Sequence, residues 1–214
     1  MKLPMTLNDI ELQSYQRFVL IEEPTNEDLV KCLLNINQIE LNKLKASEVD
    51  ELVEHLSNLL KQETPFKPTF TLNGIQYGFI PNLDDITYGE NKDITSYIND
   101  LQSLHKAMAV AYRPVKLKNG NKYQIEEYEG SHKYSEVMKE APLSVVLGMV
   151  VFFCNLTTEL LRVIPNYLNR ELQNSTNQGL ISEKNGAIIQ SYTHSLKVIL
   201  EDLTQLQKSV YIPV

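Results

Sequence analysis

The feature that most constrains this sequence is a predominantly apolar segment, LSVVLGMVVFFCNL, at residues 143–156. Pro142 precedes it, as proline often does in the first turn of a helix. The segment is about 14 residues long, whereas a membrane span needs about 20, so we favour a buried helix. A helix that is apolar on every face has to be enclosed by other elements. We therefore predict that Leu147, Val151 and Phe152 lie in the core.

The first third of the chain has the pattern of amphipathic helices. Thr25 with Asp28, and Ser47 with Asp50, have the spacing of capping boxes, which predicts that a helix opens at each pair. After the second pair, valine and leucine recur at steps of three and four residues, so one face of that helix is apolar. We expect residues 1–64 to form an N-terminal helical module.

Two Asn-Gly pairs, Asn73-Gly74 and Asn119-Gly120, each lie between short runs in which apolar residues alternate. Asn-Gly tolerates the positive φ angles of a type I′ turn. Both segments therefore predict β-hairpins.

Between the two hairpins, residues 93–112 have helical periodicity without glycine or proline, which predicts one helix that is stopped by Pro114. We expect residues 65–173 to form a central unit of hairpin, helix and core helix, and residues 174–214 a loop and a C-terminal helix. The predicted fold class is α+β and predominantly α-helical, with a helical bundle-like core and one or two β-hairpins. We expect one cooperative unit.

The last predicted helix carries a heptad seam, in which apolar residues recur at alternating steps of three and four. Such a seam needs a partner helix. One interpretation is packing against the N-terminal helices of the same chain, and the other is a surface for another subunit. In the second case the predicted partner-binding residues of the seam are Tyr192, Leu196, Ile199, Leu203 and Leu206.

The net charge and the composition of the first residues argue against some classes of function. The net charge is -7, with 27 acidic and 20 basic residues. Because non-specific nucleic-acid binding comes from Lys and Arg that neutralise phosphates, we expect no nucleic-acid partner. The first residues contain no unbroken apolar region typical of a signal peptide, so we expect the protein to remain where it is made, without a membrane. Cys32 and Cys154 lie in apolar segments, which indicates buried free thiols.

No segment has the spacing of a catalytic, cofactor or metal motif. The eight glycines form no phosphate-binding loop, and the four histidines are scattered. Asp84, Asp85 and Glu90 could hold Mg²⁺ or Ca²⁺, but we favour turn and cap chemistry with Asn82. Cys154 would be inert, because burial raises the pKa of a thiol. We therefore predict no enzyme activity, no cofactor and no metal.

Arg113 stands alone among the arginines of the middle of the chain, at the predicted end of a helix. We favour an ion pair with Glu126, Glu127 or Glu129, which would attach the second hairpin to the helix. A contact to a neighbouring subunit is the alternative.

The acidic strip EEYEG, residues 126–130, is flanked and interrupted by Tyr123, Tyr128 and Tyr134. Tyrosines are enriched at protein interfaces. We predict that Tyr128 and Tyr134 bind a partner, although the strip could also be only a solvated face.

Four segments of the chain carry a resemblance to a known family. They are YGFIPNLDDITYGE (77–90), HKAMAVAYRPV (105–115), YQIEEYEG (123–130) and LGMVVFFCNLTTELL (147–161). Together they resemble a little-characterised family encoded in the structural-gene regions of tailed bacteriophages. The resemblance implies a role in the virion or in tail assembly, with no known catalytic centre.

Two roles are compatible with this resemblance. A component of the tail, neck or connector would repeat around an axis and contact other phage structural proteins, including copies of itself. A tail-assembly chaperone would bind an aggregation-prone tail protein and be absent from the mature particle. In both cases we expect the protein in the host cytoplasm during assembly, and in the first case also in the virion.

Overall fold

A computed structural model of the chain describes residues 3–156, 158 and 159. The fold is α+β and predominantly helical, as predicted. The described residues divide into one compact unit that runs to Met149 and a second that begins at Val150. The domain boundaries placed at residues 64 and 173 stay predictions, and the heptad seam lies outside the described residues.

The N-terminal part is built from helices, as predicted. They are α1 (Leu12–Val19), α2 (Asn26–Leu34), α3 (Gln38–Leu41) and α4 (Ala46–Leu60). The capping box of Thr25 and Asp28 is confirmed at the start of α2: the Thr25 hydroxyl accepts from the Asp28 amide at 3.2 Å, and the Asp28 carboxylate accepts from the Thr25 amide at 3.1 Å. These two bonds give acceptors to two backbone amides that have no acceptor within the helix.

The second predicted capping box is wrong. Helix α4 begins before Ser47, and the Glu48 carboxylate accepts from the Lys45 amide at 2.7 Å. Glu48 occupies the third helical position, where a glutamate can reach back to the residue that precedes the helix. The box predicted from Ser47 and Asp50 placed the start of the helix too late.

Four strands form one antiparallel sheet in the order β1-β2-β3-β4. They are β1 (Thr69–Leu72), β2 (Ile75–Phe79), β3 (Tyr112–Asn119) and β4 (Lys122–Ile125). Both hairpins are therefore confirmed. In the first turn Asn73 and Gly74 have φ angles of 50° and 78°, as a type I′ turn requires.

The second turn lies one residue later than predicted. Asn119 pairs with Lys122, so Gly120 and Asn121 occupy the two central positions. Gly120 has a φ of 60°. Glycine with a positive φ at the first central position is the pattern of a type II′ turn.

The paired strand of β3 changes after Pro114. β2 pairs with β3 only as far as Pro114, and β3 pairs with β4 from Val115 onward. The β4 strand then passes over Gly78: a Cβ added there would lie 2.5 Å from the Tyr123 ring. Gly78 therefore allows Tyr123 to cover β2.

The single helix predicted over residues 93–112 is wrong. The chain forms α5 (Tyr88–Tyr97) and α6 (Leu104–Ala111), with a break around Asp100. The Asp100 carboxylate accepts from the Gln102 amide at 3.0 Å. A short polar side chain that binds nearby backbone competes with the continuation of a helix. Pro114 lies inside β3, whereas α6 ends at Ala111. The helix therefore ends three residues before the proline that was predicted to stop it.

The apolar segment forms a helix, as predicted. After the short helix α7 (Ser135–Met138), helix α8 spans residues 143–156. Leu147 is fully buried, which confirms its predicted core position. Val151 and Phe152 are half-buried, so their predicted core positions are wrong.

Close backbone contacts hold the start of α8. The Leu143 amide donates to the Ile10 carbonyl at 2.8 Å, and the Leu12 amide donates to the Ala141 carbonyl at 3.0 Å. One turn further along, a Cβ added to Gly148 would lie 2.7 Å from the Pro65 carbonyl oxygen. The segment before β1 thus crosses α8 at its glycine. In the described part of the chain, no helix is long and apolar enough to span a membrane.

Candidate partner-binding site

The centre of the candidate site is a buried ion pair. The Arg113 guanidinium lies 2.5 Å from the Glu90 carboxylate, and the two side chains are 7% and 5% exposed. The partners predicted for Arg113, namely Glu126, Glu127 and Glu129, are therefore wrong. Arg113 follows α6 at the start of β3, and this position directs it to the first turn of α5.

Glu90 is held on its other side by the N-terminal cap of α5. Its carboxylate accepts from the Thr87 amide at 2.8 Å and from the Thr87 hydroxyl at 2.6 Å. Burial alone would raise the pKa of Glu90, but the hydrogen bonds from Thr87 and the charge of Arg113 together lower it. Glu90 is therefore ionised at neutral pH and matches the buried positive charge.

Glu90 thus pairs with Arg113 inside the protein. Asp84 and Asp85, the other two members of the possible cation cluster, bind the nearby Asn82 side chain. The Asn82 side chain accepts from the Asp84 amide at 3.2 Å and donates to the Asp85 carboxylate at 2.5 Å. This is the favoured turn and cap interpretation. Within the described residues, no group of three His, Cys, Asp or Glu side chains is placed to hold a metal ion.

Tyr128 is one of the two predicted partner-binding tyrosines that the structure describes. Its ring lies against Arg113 of the ion pair. The Arg113 guanidinium lies 5.5 Å from the centre of its ring, a cation–π distance. Its hydroxyl donates to the Asp93 carboxylate on α5. Burial and, next, the Asp93 carboxylate raise the pKa of Tyr128, so the hydroxyl keeps its proton. The ring is half-buried and is held by these two contacts.

Tyr134, the second of these tyrosines, is also fixed by its hydroxyl. The hydroxyl donates to the Glu126 carboxylate at 2.5 Å, and the ring packs edge-on against Tyr77 with centroids 6.0 Å apart. The ring remains half-buried. Its role in binding a partner, like that of Tyr128, stays a prediction.

The acidic strip is partly neutralised by one lysine. The Lys133 ammonium lies 3.1 Å from Glu126 and 2.9 Å from Glu129. The hydrogen bonds from Tyr134 and Lys133 lower the pKa of Glu126, and the hydrogen bond from Lys133 lowers that of Glu129. Both carboxylates are therefore charged at neutral pH, and Glu126 is shared between Lys133 and the Tyr134 hydroxyl.

The sequence did not reveal a second polar cluster, at the start of α8. The Lys67 ammonium donates to the Asn8 side-chain oxygen at 2.8 Å and to the Ser144 hydroxyl at 3.1 Å, and Ser144 donates to Asn8 at 2.5 Å. These residues are too far apart in sequence for any local pattern to join them. The Glu90 cap did have a local signal, because Thr87 and Glu90 have capping-box spacing.

The Cys154 thiol is buried, and the Cys32 thiol is half-buried. Burial raises the pKa of both thiols, which lowers their reactivity. This agrees with the prediction that Cys154 is buried and inert, whereas Cys32 is less enclosed than predicted.

The described residues therefore define an α+β protein in which a buried Arg-Glu pair carries a half-buried tyrosine surface. Comparisons with protein-family models, with curated proteins and with solved structures gave no match. The basis for assigning a function is thus the geometry of these residues and the resemblance of the four segments.

Proposed function

We propose that this chain is a non-enzymatic structural or assembly protein of a tailed phage, active in the tail, neck or connector region through contacts with other proteins. The observation that carries the proposal is the fixed tyrosine surface. Tyr128 and Tyr134 are half-buried, and the hydroxyl of each is bound within the chain. Their ring faces are thus oriented before any partner arrives.

Such pre-organisation favours a protein contact for a thermodynamic reason. Ordering a mobile side chain at an interface costs about 0.5–1.5 kcal/mol, and a ring that is already fixed avoids most of this cost. Aromatic residues also supply much of the contact energy of interfaces. The surface around Tyr128 and Tyr134 has both properties.

The phage context rests on the resemblance of the four segments. Glu90, Arg113 and Tyr128 come from three different segments that resemble the phage family, and they meet in one cluster. In the fourth segment, the absence of a side chain at Gly148 leaves room for the Pro65 carbonyl group. Three of the four segments that carry the resemblance therefore meet in this cluster.

A tail-assembly chaperone that is absent from the mature particle is the alternative. A net charge of -7 would keep such a protein soluble while it held an apolar tail segment. Both roles share protein partners, with a homo-oligomer possible for the structural one. Neither involves nucleic acid or membrane, and both place the protein in the host cytoplasm during assembly.

Quantitative mass spectrometry of purified particles and of the infected-cell lysate tests the proposal. A fixed ratio to a known connector protein in particles would support the structural role. Co-purification with a tail protein from the lysate, together with absence from particles, would support the chaperone. Absence from particles and from every complex of phage structural proteins would contradict both.

A Tyr128→Ala and Tyr134→Ala variant tests the surface itself. Loss of incorporation or of co-purification, with retained folding by circular dichroism, would support the tyrosine contact. The matched control is Tyr88→Ala, since Tyr88 is 83% exposed and lies outside the acidic strip.

A further inference from the structure

The tip of the second hairpin is a basic projection on an acidic protein. All seven residues from 116 to 122 are exposed, and three of them are lysines: Lys116, Lys118 and Lys122. No acidic residue lies between Lys116 and Ile125. Leu117, between two of the lysines, is 65% exposed. We call residues 116–122 the basic tip.

The basic tip extends beyond the rest of the sheet. β2 pairs with β3 only up to Pro114, and from Val115 onward β3 has β4 as its paired strand. Within the described residues, neither Lys118 nor Lys122 forms an ion pair. These charges and the Leu117 side chain are therefore available to a partner.

Helix α4 carries the opposite surface. Asp50, Glu51 and Glu54 are all exposed, and α4 has no lysine or arginine between Ala46 and Leu60. We call these three residues the acidic face. Helix α4 packs chiefly on α2, whereas β3 and β4 pack on each other and on β2, so the two charged surfaces belong to different parts of the same unit.

We propose that the basic tip of one copy docks on the acidic face of α4 in a second copy. Exposed carboxylates four positions apart on a helix lie on the same face, so Asp50 and Glu54 present two adjacent negative charges. The exposed lysines of the tip supply the complementary positive charge. This inference names a partner for the protein-contact function proposed above and rests on it.

A second copy fits the basic tip better than nucleic acid does. Phosphate binding would use the lysines but would leave Leu117 in water, while a helix surface offers aliphatic contacts beside its carboxylates. The net charge of -7 also repels a polyanion at a distance, whereas an acidic face on the same chain supplies the complementary charge locally.

The contact has a consequence for assembly. The tip and the acidic face are different surfaces, so each copy would offer one to each neighbour in a head-to-tail arrangement. Head-to-tail contacts close into rings or continue as filaments, depending on the rotation between copies. A ring is the form that a tail, neck or connector component would need.

Sedimentation velocity of the purified full-length chain tests the inference at salt concentrations from roughly 50 mM to roughly 500 mM, a range over which the Debye length falls severalfold. We expect self-association that weakens as salt rises. Lys118→Glu with Lys122→Glu should weaken it at least about tenfold at low salt, because two attractive charges become repulsive. Adding Asp50→Lys and Glu54→Lys to the same chain should restore it.

The control is Lys43→Glu with Lys92→Glu, which makes the same change in net charge at exposed lysines outside both the tip and α4. It should retain association, and circular dichroism should show all variants folded. A monomeric wild type at low salt would overturn the inference. Association that is equally strong in the wild type and in the variant with Lys118→Glu and Lys122→Glu would also overturn it. Binding of a DNA duplex that requires Lys118 and Lys122, in place of self-association, would also overturn it. The particle measurement described above is independent of these outcomes.

Discussion

The Arg113 guanidinium lies 2.5 Å from the Glu90 carboxylate, in an interior position where both side chains are almost fully removed from water. A buried charge is costly unless it is paired, so each residue depends on the other. Through this pair the start of β3 is joined to the first turn of α5. Tyr128 then completes the cluster by covering Arg113.

Substitution of Glu90 by glutamine should reveal this dependence. The change keeps the shape of the side chain but leaves Arg113 buried without a counter-charge, so the free energy of unfolding should fall by about 3–5 kcal/mol. Urea unfolding followed by circular dichroism measures the difference. The matched control is Glu129→Gln, which removes a partner of Lys133 that is 66% exposed and should shift the urea midpoint little. Equal midpoints for Glu90→Gln and wild type would show that the ion pair contributes nothing.

Gly148 gives a second prediction, since it has no room for a side chain. Alanine normally favours a helix over glycine by about 1 kcal/mol. At Gly148, however, the new methyl group would meet the Pro65 carbonyl at 2.7 Å, and backbone has to move. We expect Gly148→Ala to lower the free energy of unfolding by about 1–3 kcal/mol, the usual cost of overpacking.

Gly89, also in a helix, is the control for this substitution. A Cβ there would lie 3.5 Å from the Tyr128 ring, an ordinary contact distance. Gly89→Ala should therefore be neutral or stabilise by up to about 1 kcal/mol. If thermal unfolding shows the same sign of change for both variants, the close approach of Pro65 to α8 is not what constrains Gly148.

The parts of the fold that the sequence predicted correctly are those that local chemistry determines. The turn at Asn73-Gly74 needs two positive φ angles, and the box at Thr25 needs only a residue three positions away. The break at Asp100 is also local, but apolar periodicity on both sides of it obscured the competing cap. The core position of Leu147 followed from the apolar run around it.

The partner of Arg113 could not be predicted in this way. Choosing Glu90 over Glu126 or Glu129 requires the path of the chain in three dimensions. From the sequence alone, Arg113 could reach any of these glutamates in some arrangement of the chain. The clearest missed signal was that Thr87 would hold Glu90 at a helix start. The inward contacts of Tyr128 and Tyr134 likewise depend on Asp93 and Tyr77, which lie far along the chain.

Removal of the Tyr128 hydroxyl tests whether the tyrosine surface is pre-organised. Tyr128→Phe loses a hydrogen bond to the Asp93 carboxylate but keeps the ring over Arg113. Since hydrogen bonds to charged groups contribute about 1.5–3 kcal/mol, we expect a decrease of that order at most in the free energy of unfolding. Tyr88→Phe, at a tyrosine that is 83% exposed, should cause no measurable change in urea unfolding. A Tyr128→Phe protein as stable as the Tyr88→Phe protein would mean that the hydroxyl does not fix the ring.

Stability should also depend on pH through His105. Burial and, next, the charges of Lys139 and Lys106 lower the pKa of His105 below its ordinary value of 6.5. The Nδ1 atom of His105 lies 3.4 Å from the side-chain nitrogen of Gln16. Because the folded state disfavours the added proton, the contribution of His105 is complete above pH 6.5 and is lost as pH falls through the lowered pKa.

His105→Gln should remove this part of the pH dependence. We would measure urea midpoints from about pH 7.5 to about pH 5.5, the window in which an ordinary histidine changes charge. The wild-type midpoint should fall across this window by more than that of His105→Gln. His132→Gln, at an exposed histidine, should retain the wild-type slope. If His105→Gln keeps that slope as well, the proton that destabilises the fold is taken up at another residue.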